Sequence, residues 1–384
     1  MPLKFMLDDT EKQVASIKVV GVGGGGGNAL NNMIEQKLLG IDFIAANTDA
    51  QVLARSLAET RLQLGSHSTK GLGAGGKPDI GREAAESDRA HIKELLADTE
   101  MVFITAGMGG GTGTGAAPVI AEVAREMGIL TVGVVTKPFS FEGKRRMRFA
   151  EDGIEELSRA VDTLITIPNQ KLVAMAGKNT TMKDTFRMAD DVLFQAVRGI
   201  SELITKPGYI NVDFADVTAV MTEHQGTSMM GMGSASGEDR ACVAAEAAIT
   251  SPLLEEVDIH GAQGLLVNVT ATEESLSMAE YEEVMNIMQN MMDEDANVNC
   301  GLVYDEDAGD ELRVTVVATG LQKQVMPKLA KVQPLRATKL PVLDSVPAPG
   351  YSMGSGHTQT QAAPEASAYD DKYDVPTWIR HQAD

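Results

Sequence analysis

Two glycine loops and one pair of acids are the parts of this chain whose residue types and spacing suit chemistry. Gly23 to Gly27 follows Ile17-Lys-Val-Val-Gly-Val and precedes Asn28-Ala-Leu-Asn-Asn-Met-Ile, the order of strand, tight turn and helix. Backbone N–H groups in such a turn, with the positive end of the following helix, make an anion cradle. Gly109-Gly-Gly-Thr-Gly-Thr-Gly115 repeats the arrangement after a second strand, and the hydroxyls of Thr112 and Thr114 add donors. Gly21-x-Gly23-x-x-Gly26 with Asp49 downstream also satisfies a dinucleotide fingerprint, but a run of five glycines matches many such patterns. A second cradle is what a triphosphate needs and a pyrophosphate bridge does not. Neither loop holds the Gly-Lys-Ser/Thr of a P-loop, so positive charge must come from Mg²⁺ and from Glu142-Gly-Lys-Arg-Arg146. The acids, Asp213 and Asp216 in Asn211-Val-Asp-Phe-Ala-Asp, lie three apart on one face of a helix start. By spacing alone they read as a helix cap and its supporting acid.

These loops need a scaffold, and the pattern supplies one. Strands at Asp42 to Ala46, Met101 to Ala106, Leu130 to Thr136 and Thr163 to Ile167 alternate with helical stretches, which predicts an α/β fold with a doubly wound, mostly parallel sheet. Ligands of such sheets gather at the carboxyl ends of the strands, where both glycine loops fall. Asp184 to Leu203 is one long helical pattern that stops before Lys206-Pro207-Gly208. The expected domains are a flexible N-terminus (1–16), a nucleotide-binding domain (17–183), a central helix (184–206) and a second, smaller α/β domain (207–320). A flexible linker (321–372) and a short docking peptide (373–384) follow. The linker centres on Pro347-Ala-Pro-Gly-Tyr-Ser-Met-Gly-Ser-Gly356, a composition that cannot bury a core. The last stretch regains apolar character and holds the single Trp, as an element that docks on a partner would.

A formal net charge of -21 excludes a broad electrostatic grip on a nucleic-acid backbone. No signal-peptide or membrane-spanning run is visible, so a cytosolic protein without direct membrane insertion is expected. Cys242 and Cys300 are too few for a disulfide framework and have no metal-type spacing, and both read as buried or inert thiols. The methionines from Met285 to Met292 fall at helical spacing and read as a core stripe. Asp293-Glu-Asp295 and Asp305-Glu-Asp307 lack the ligand spacing of a calcium loop and read as solvated loops.

Gly109 to Gly115 has the form of the signature loop of the tubulin/FtsZ GTPase family. Gly21 to Asn28, Asn47-Thr48-Asp49, Gly71-Leu-Gly-Ala-Gly75 and Thr136-Lys-Pro-Phe139 with Phe141-Glu-Gly143 resemble that family's segments in its order. The resemblance runs from about Ile17 to Leu321 and resumes in the last dozen residues. It implies GTP or GDP with Mg²⁺, and a monovalent cation such as K⁺, held without a dedicated protein metal site. Gly24, Gly25, Gly26, Gly27, Asn28, Gly110, Gly111, Thr112 and Gly113 would lie on the phosphates, with Asp49 on the loop or metal and Ala74 and Gly75 near the γ-phosphate. Glu142 and Arg146 would hold the ribose and nearby phosphate, and Asn169, Phe186 and Asp190 the base. Asp190 could accept both guanine donors, which adenine lacks. Without the resemblance, Asp190 and Asp191 read as a solvated helix face, Phe186 as a core aromatic and Lys144 to Arg148 as an exposed basic face.

The same resemblance gives Asp213 and Asp216, assisted by Asn211, a different use: polarising the water that attacks the γ-phosphate of a neighbouring copy. The implied protein is a polymerising GTPase that stacks head to tail and scaffolds the division ring at mid-cell. Val375, Pro376, Trp378, Ile379 and Arg380 would dock on membrane-tethering adaptors and division regulators. The alternatives are a tubulin-like scaffold that assembles without hydrolysis and a Rossmann oxidoreductase. One departure from the family is Gly76-Lys77-Pro78 where Ala-Asn-Pro is common, which places an ammonium beside a phosphate loop.

Overall fold

A computed structural model describes residues 15–177, 180–206, 208–210, 212–222, 227–254, 262–292, 296–321 and 350. Its strands are β1 (Ile17–Val22), β2 (Asp42–Asn47), β3 (Thr60–Gln63), β4 (Met101–Gly107), β5 (Leu130–Lys137), β6 (Thr163–Pro168), β7 (Gly208–Ile210), β8 (Thr227–Ser236), β9 (Gly264–Ala271), β10 (Asn297–Tyr304) and β11 (Glu311–Leu321). The helices are α1 (Gly23–Glu35), α2 (Ala50–Ala54), α3 (Ser66–Thr69), α4 (Pro78–Ser87), α5 (Arg89–Leu95), α6 (Thr112–Glu126), α7 (Lys144–Ala160), α8 (Asn169–Met175), α9 (Met182–Thr205), α10 (Phe214–Thr222), α11 (Arg240–Ile249) and α12 (Met278–Asn290). The strands form one sheet in the order β3-β2-β1-β4-β5-β6-β8-β11-β9-β10-β7.

From β3 to β6 every pairing is parallel. β4 and β5 are buried almost throughout, because helices cover both faces of a parallel sheet and leave no polar alternation. Ile17, Val19, Met101 and Phe103 point to the face covered by α1 and α9; Val20, Val22, Val102 and Ile104 point to the face covered by α4 to α7. Beyond β6 the sheet is mixed, with β11 antiparallel to β8 and β9, and β10 antiparallel to β7. Helices α11 and α12 cover one face of that part, where Met285 and Met288 fill the core as the methionine stripe predicts.

The central helix is the 24-residue α9, begun by a Thr181 side chain that accepts from the Asp184 N–H. It packs on both parts of the sheet: Phe194, Val197 and Ile200 join one core with Val132, Ile165, Leu266 and Val317. A Cβ on Gly199 would lie 2.7 Å from the Thr315 Cγ2. Glycine there allows the helix to approach β11 closely enough for Asn268 Nδ2 to donate to the Gly199 carbonyl at 2.9 Å.

Strand β8 carries no sequence signal in Thr-Ser-Met-Met-Gly-Met-Gly-Ser-Ala-Ser. Its two glycines serve packing: a Cβ on Gly231 or Gly233 would fall 2.0 or 2.1 Å from the carbonyl oxygens of Ala248 and Ala244 on α11. The solvated-loop reading of Asp305 is corrected by the structure. Its carboxylate is buried and takes hydrogen bonds from Arg198 on α9 and Arg313 on β11. Burial opposes its charge, but Arg313, Lys206 and Arg198 hold the carboxyl below its ordinary value. Asp293 to Asp295 lies outside the described residues. Cys242 and Cys300 are half-buried rather than enclosed. We expect Asp305→Ala, which leaves two arginines without their shared partner, to lower stability by about 3 kcal/mol in urea unfolding; an unchanged midpoint would show that Asp305 is no anchor.

Candidate functional site

The phosphate-sized cradle is built from backbone. Helix α1 starts at Gly23, whose φ of +73° favours glycine, and no side chain caps its first turn. Its leading N–H groups therefore stay open to an anion. Gly24, Gly25 and Asn28 are exposed and nothing lies within 4 Å of a Cβ on Gly24 or Gly27. Gly26 faces the other way, where a Cβ would lie 2.2 Å from the Thr105 carbonyl oxygen and lift α1 off β4. Helix α6 likewise begins at Thr112 with no side-chain cap, and space is open over Gly110.

The two loops meet, since a Cβ on Gly23 would sit 2.8 Å from the Gly113 nitrogen. Ala74 and Gly76 abut Gly111 from a third side, at 2.8 and 3.2 Å from its Cβ position. Gly71, Gly73, Gly75 and Gly76 all have positive φ, so this segment wraps the cradle in a conformation that side chains resist. Thr48 joins the segments: its hydroxyl lies 2.7 Å from that of Thr112 and its carbonyl accepts from the Gly73 N–H. The sequence reading took Asp49 from Asn47-Thr48-Asp49 and missed Thr48, although both follow β2 at its carboxyl end. Asp49 Oδ1 caps α2, accepting from Gln51 and Val52 N–H at 2.8 and 3.2 Å. The Thr114 hydroxyl is turned inward and accepts from the Gly109 N–H, so it staples the loop rather than facing the cradle. Lys77 lines a cleft between α4 and α7 with Arg82 and Arg145.

Beside the cradle lies a wall of different chemistry. Phe139 is buried, stacks on Phe141 at 5.0 Å and meets the half-exposed Phe186 edge-on at 5.1 Å. Phe186 and Asp190 are one turn apart on α9. Asn169 is buried with its Oδ1 unpartnered. Among the described residues no donor reaches the Asp190 carboxylate; burial and then the neighbouring Asp191 push its pKa up to about 7. Asp191 instead accepts from Asn32 on α1 and from Gln36 just past its end, at 2.9 and 3.2 Å. The solvated-face reading therefore fails for both acids: one is desolvated and the other ties two helices. Glu142 accepts from the Phe139 N–H and pairs with Arg146 at 2.6 Å. The arrangement offers donors to an anion at one end and unpaired acceptors beside aromatic rings at the other, which fits the polar edge and phosphates of a nucleotide.

Asp213 and Asp216 are elsewhere. Both are exposed at the start of α10, with the Asp216 N–H on the Asp213 carbonyl. The far end of α10 is docked where β6 begins, through the Thr163 hydroxyl to the Met221 carbonyl at 2.7 Å. From Asp190 to Thr205 the central helix covers about 22 Å, and Thr205 ends against Gly40, just before β2. The acids thus sit at the amino ends of the parallel strands, opposite the cradle. Asn211 and the tail residues Val375, Pro376, Trp378, Ile379 and Arg380 lie outside the described residues. Among the described residues no cluster of ligand side chains could hold a metal, and no helix is long and apolar enough to cross a membrane.

Residues 16–177 match the tubulin/FtsZ family GTPase domain and residues 226–322 the FtsZ family C-terminal domain. The cell division protein FtsZ of Coxiella burnetii is 59% identical over 317 residues, 83% of this chain and 82% of that one. The cell division protein FtsZ of Pseudomonas aeruginosa is 51% identical over 396 residues, 99% of this chain and all of the other. The structure of an empty FtsZ dimer from M. jannaschii superimposes with a TM-score of 0.77 at 42% identity, covering 87% of this chain and 96% of its own. A cradle of two opposed glycine loops, two family domains in order and a relative matched end to end at 51% identity lead to one conclusion: this chain belongs to the FtsZ family of tubulin-like GTPases.

Proposed function

We propose that this GTPase, a polymerising cell-division protein by family, hydrolyses GTP only where a second copy stacks on it head to tail. The observation that carries the reading is the separation of Asp213 and Asp216 from the cradle by the length of α9. In our reading the first turns of α1 and α6, with Ala74 and Gly75, hold the phosphates, while Glu142 and Arg146 hold the ribose. Guanine sits against Phe186 with its N1–H and amine on Asp190 and an amine donor within reach of Asn169. A base without that pair of donors leaves the desolvated carboxylate unpaired, so GTP is chosen over ATP. Asp49, which caps a helix, gives no support to the oxidoreductase alternative.

Asp213 and Asp216 of the stacked copy, with Asn211, orient the attacking water and accept its proton. Mg²⁺ on the phosphates, with a monovalent cation such as K⁺, supplies the positive charge that lets two carboxylates approach a triphosphate. Loss of the γ-phosphate removes charge and contacts at the junction and loosens it. We keep the division into a nucleotide-binding domain, a spine at 184–206 and a second domain at 207–320, and the tail as the dock for membrane adaptors and division regulators. The protein would work in the cytoplasm at the division ring.

Phosphate release per copy should rise with protein concentration and be lost on dilution. Asp213→Ala should keep GTP affinity and assembly yet slow turnover by about 10² or more; a variant polymer with wild-type turnover would end the assignment. Asp190 adds a pH test. Because its carboxyl is half protonated near pH 7, guanosine binding must release a proton below that pH, and affinity should fall toward about tenfold per unit as pH drops. Asp190→Asn should bind weakly and lose the pH dependence, whereas an unchanged slope in that variant would assign the proton to another group. The free protein should also gain stability as pH falls from about 7 toward the ordinary carboxylate range, since the folded state keeps a proton that the unfolded chain releases.

A further inference from the structure

Helix α10 is only nine residues long, and side chains from three strands hold it at both ends. The last four carbonyls of such a helix, Ala219 to Thr222, have no partner within it. Two of them are met by hydroxyls from the sheet. Thr163, where β6 begins, donates to the Met221 carbonyl at 2.7 Å, and Thr319, near the end of β11, donates to the Val220 carbonyl at 3.1 Å. Both threonines are buried, as are Val217, Val220 and Met221 on the helix. The Thr319 hydroxyl also lies 3.4 Å from the carbonyl of Gly264, its neighbour on β9. At the other end Asn299, on β10, donates its Nδ2 to the Asp216 carbonyl at 3.3 Å.

Thr163 and Thr319 belong to different parts of the sheet. Among the described residues the parallel part joins the mixed part where β6 pairs with β8, over Leu164↔Thr227 and Ile165↔Ser228. Thr163 immediately precedes that pairing, and Thr319 lies on β11 between Ala318 and Leu321, which pair with Met229 and Thr227 of β8. The last turn of α10 therefore bridges the seam, tied to one part by the first hydroxyl and to the other by the second. Apolar packing of Val217, Val220 and Met221 keeps the helix in place but is non-directional; hydrogen bonds at both ends fix its direction. Asp213 lies about 12 Å along the helix from Met221, so a tilt of about 10° at the docked end would move it by about 2 Å. Misplacement of a reacting group by about 1 Å can cost about 10²-fold in rate.

We propose that Thr163, Thr319 and Asn299 are positioning residues for hydrolysis: they clamp α10 across the seam so that Asp213 and Asp216 meet the cradle of the next copy in register. The proposal rests on the head-to-tail reading and names what aims the acids. None of the three touches the nucleotide; each acts through the backbone of α10.

The test uses the full-length protein with GTP and Mg²⁺. Thr163→Val with Thr319→Val keeps the side-chain shape and removes both donors. This variant should bind GTP and sediment as the wild type does, while phosphate release per sedimented copy falls about tenfold or more. Thr163→Ser with Thr319→Ser returns the donors and should return the turnover. Asn299→Ala removes no buried side chain and should slow release about three- to tenfold; it carries the test if the valine variant fails to bind GTP. Mixing separates misaimed acids from a weakened fold. The valine variant should regain turnover with Asp190→Ala, which brings well-placed acids, and stay slow with Asp213→Ala, which brings only a cradle. Wild-type release per sedimented copy in the valine and Asn299→Ala variants, even with a lowered melting temperature, would overturn the clamp and leave these groups as structural caps. Recovery with Asp213→Ala but not with Asp190→Ala would overturn it too, since the defect would then lie in the cradle. Neither result touches the head-to-tail reading, whose mark is the rise of wild-type turnover with concentration; without that rise the stacking itself would fail.

Discussion

The stiffness of one helix governs what this molecule can do. Phe186 and Asp190, near the start of α9, belong to the wall beside the cradle, and the residues just past its end lead into the acids of α10. From Ala189 onward the helix is mostly buried, and it is held to the second part of the sheet by Asn268 at Gly199 and by Arg198 at Asp305. It cannot bend to bring Asp213 toward the cradle without breaking a core shared by both parts. If Asp213 and Asp216 are the catalytic pair we propose, they are fixed out of reach of their own cradle and useful only to another molecule. On that proposal turnover is tied to assembly by geometry, with no need for a signal passed through the protein.

Close backbone contact is the means by which the cradle is kept open and in place. Gly23 on Gly113, Gly111 on Ala74 and Gly26 on Thr105 leave no room for a methyl group, whereas Gly24, Gly27 and Gly110 face free space. The first set fixes three loops against one another, and the second admits a ligand to their N–H groups. Charge at the proposed base site follows the same logic of prior arrangement: Asp190 is desolvated in the free protein, so a ligand that donates to it would release binding energy that another would not.

Much of the fold was legible in the residues. The runs ending at Gly23 and Gly109 and the long pattern at 184–203 specify strand, cradle and spine by periodicity, and the structure extends the helix to Met182 and Thr205. β8 was not legible, because its glycines answer to the close approach of α11 and not to strand propensity. Asp305 was misread for a related reason, and spacing alone would misread Asp191: an acid in a polar stretch looks solvated until its distant partners, Arg198 and Arg313 for the first and Asn32 and Gln36 for the second, are folded around it. Thr48 went unnoticed because a lone hydroxyl has no pattern. The roles of the acids at 213 and 216 came from family likeness, since spacing alone gives a helix cap.

The division of the site between copies is most directly tested by mixing two inactive proteins. Asp213→Ala keeps an intact cradle and lacks the acids; Asp190→Ala keeps the acids and lacks the base wall. If the two halves come from different molecules, the mixture should recover GTP turnover at junctions where the second variant's acids meet the first variant's cradle. A mixture that co-sediments with GTP yet stays inert at every ratio would contradict the account.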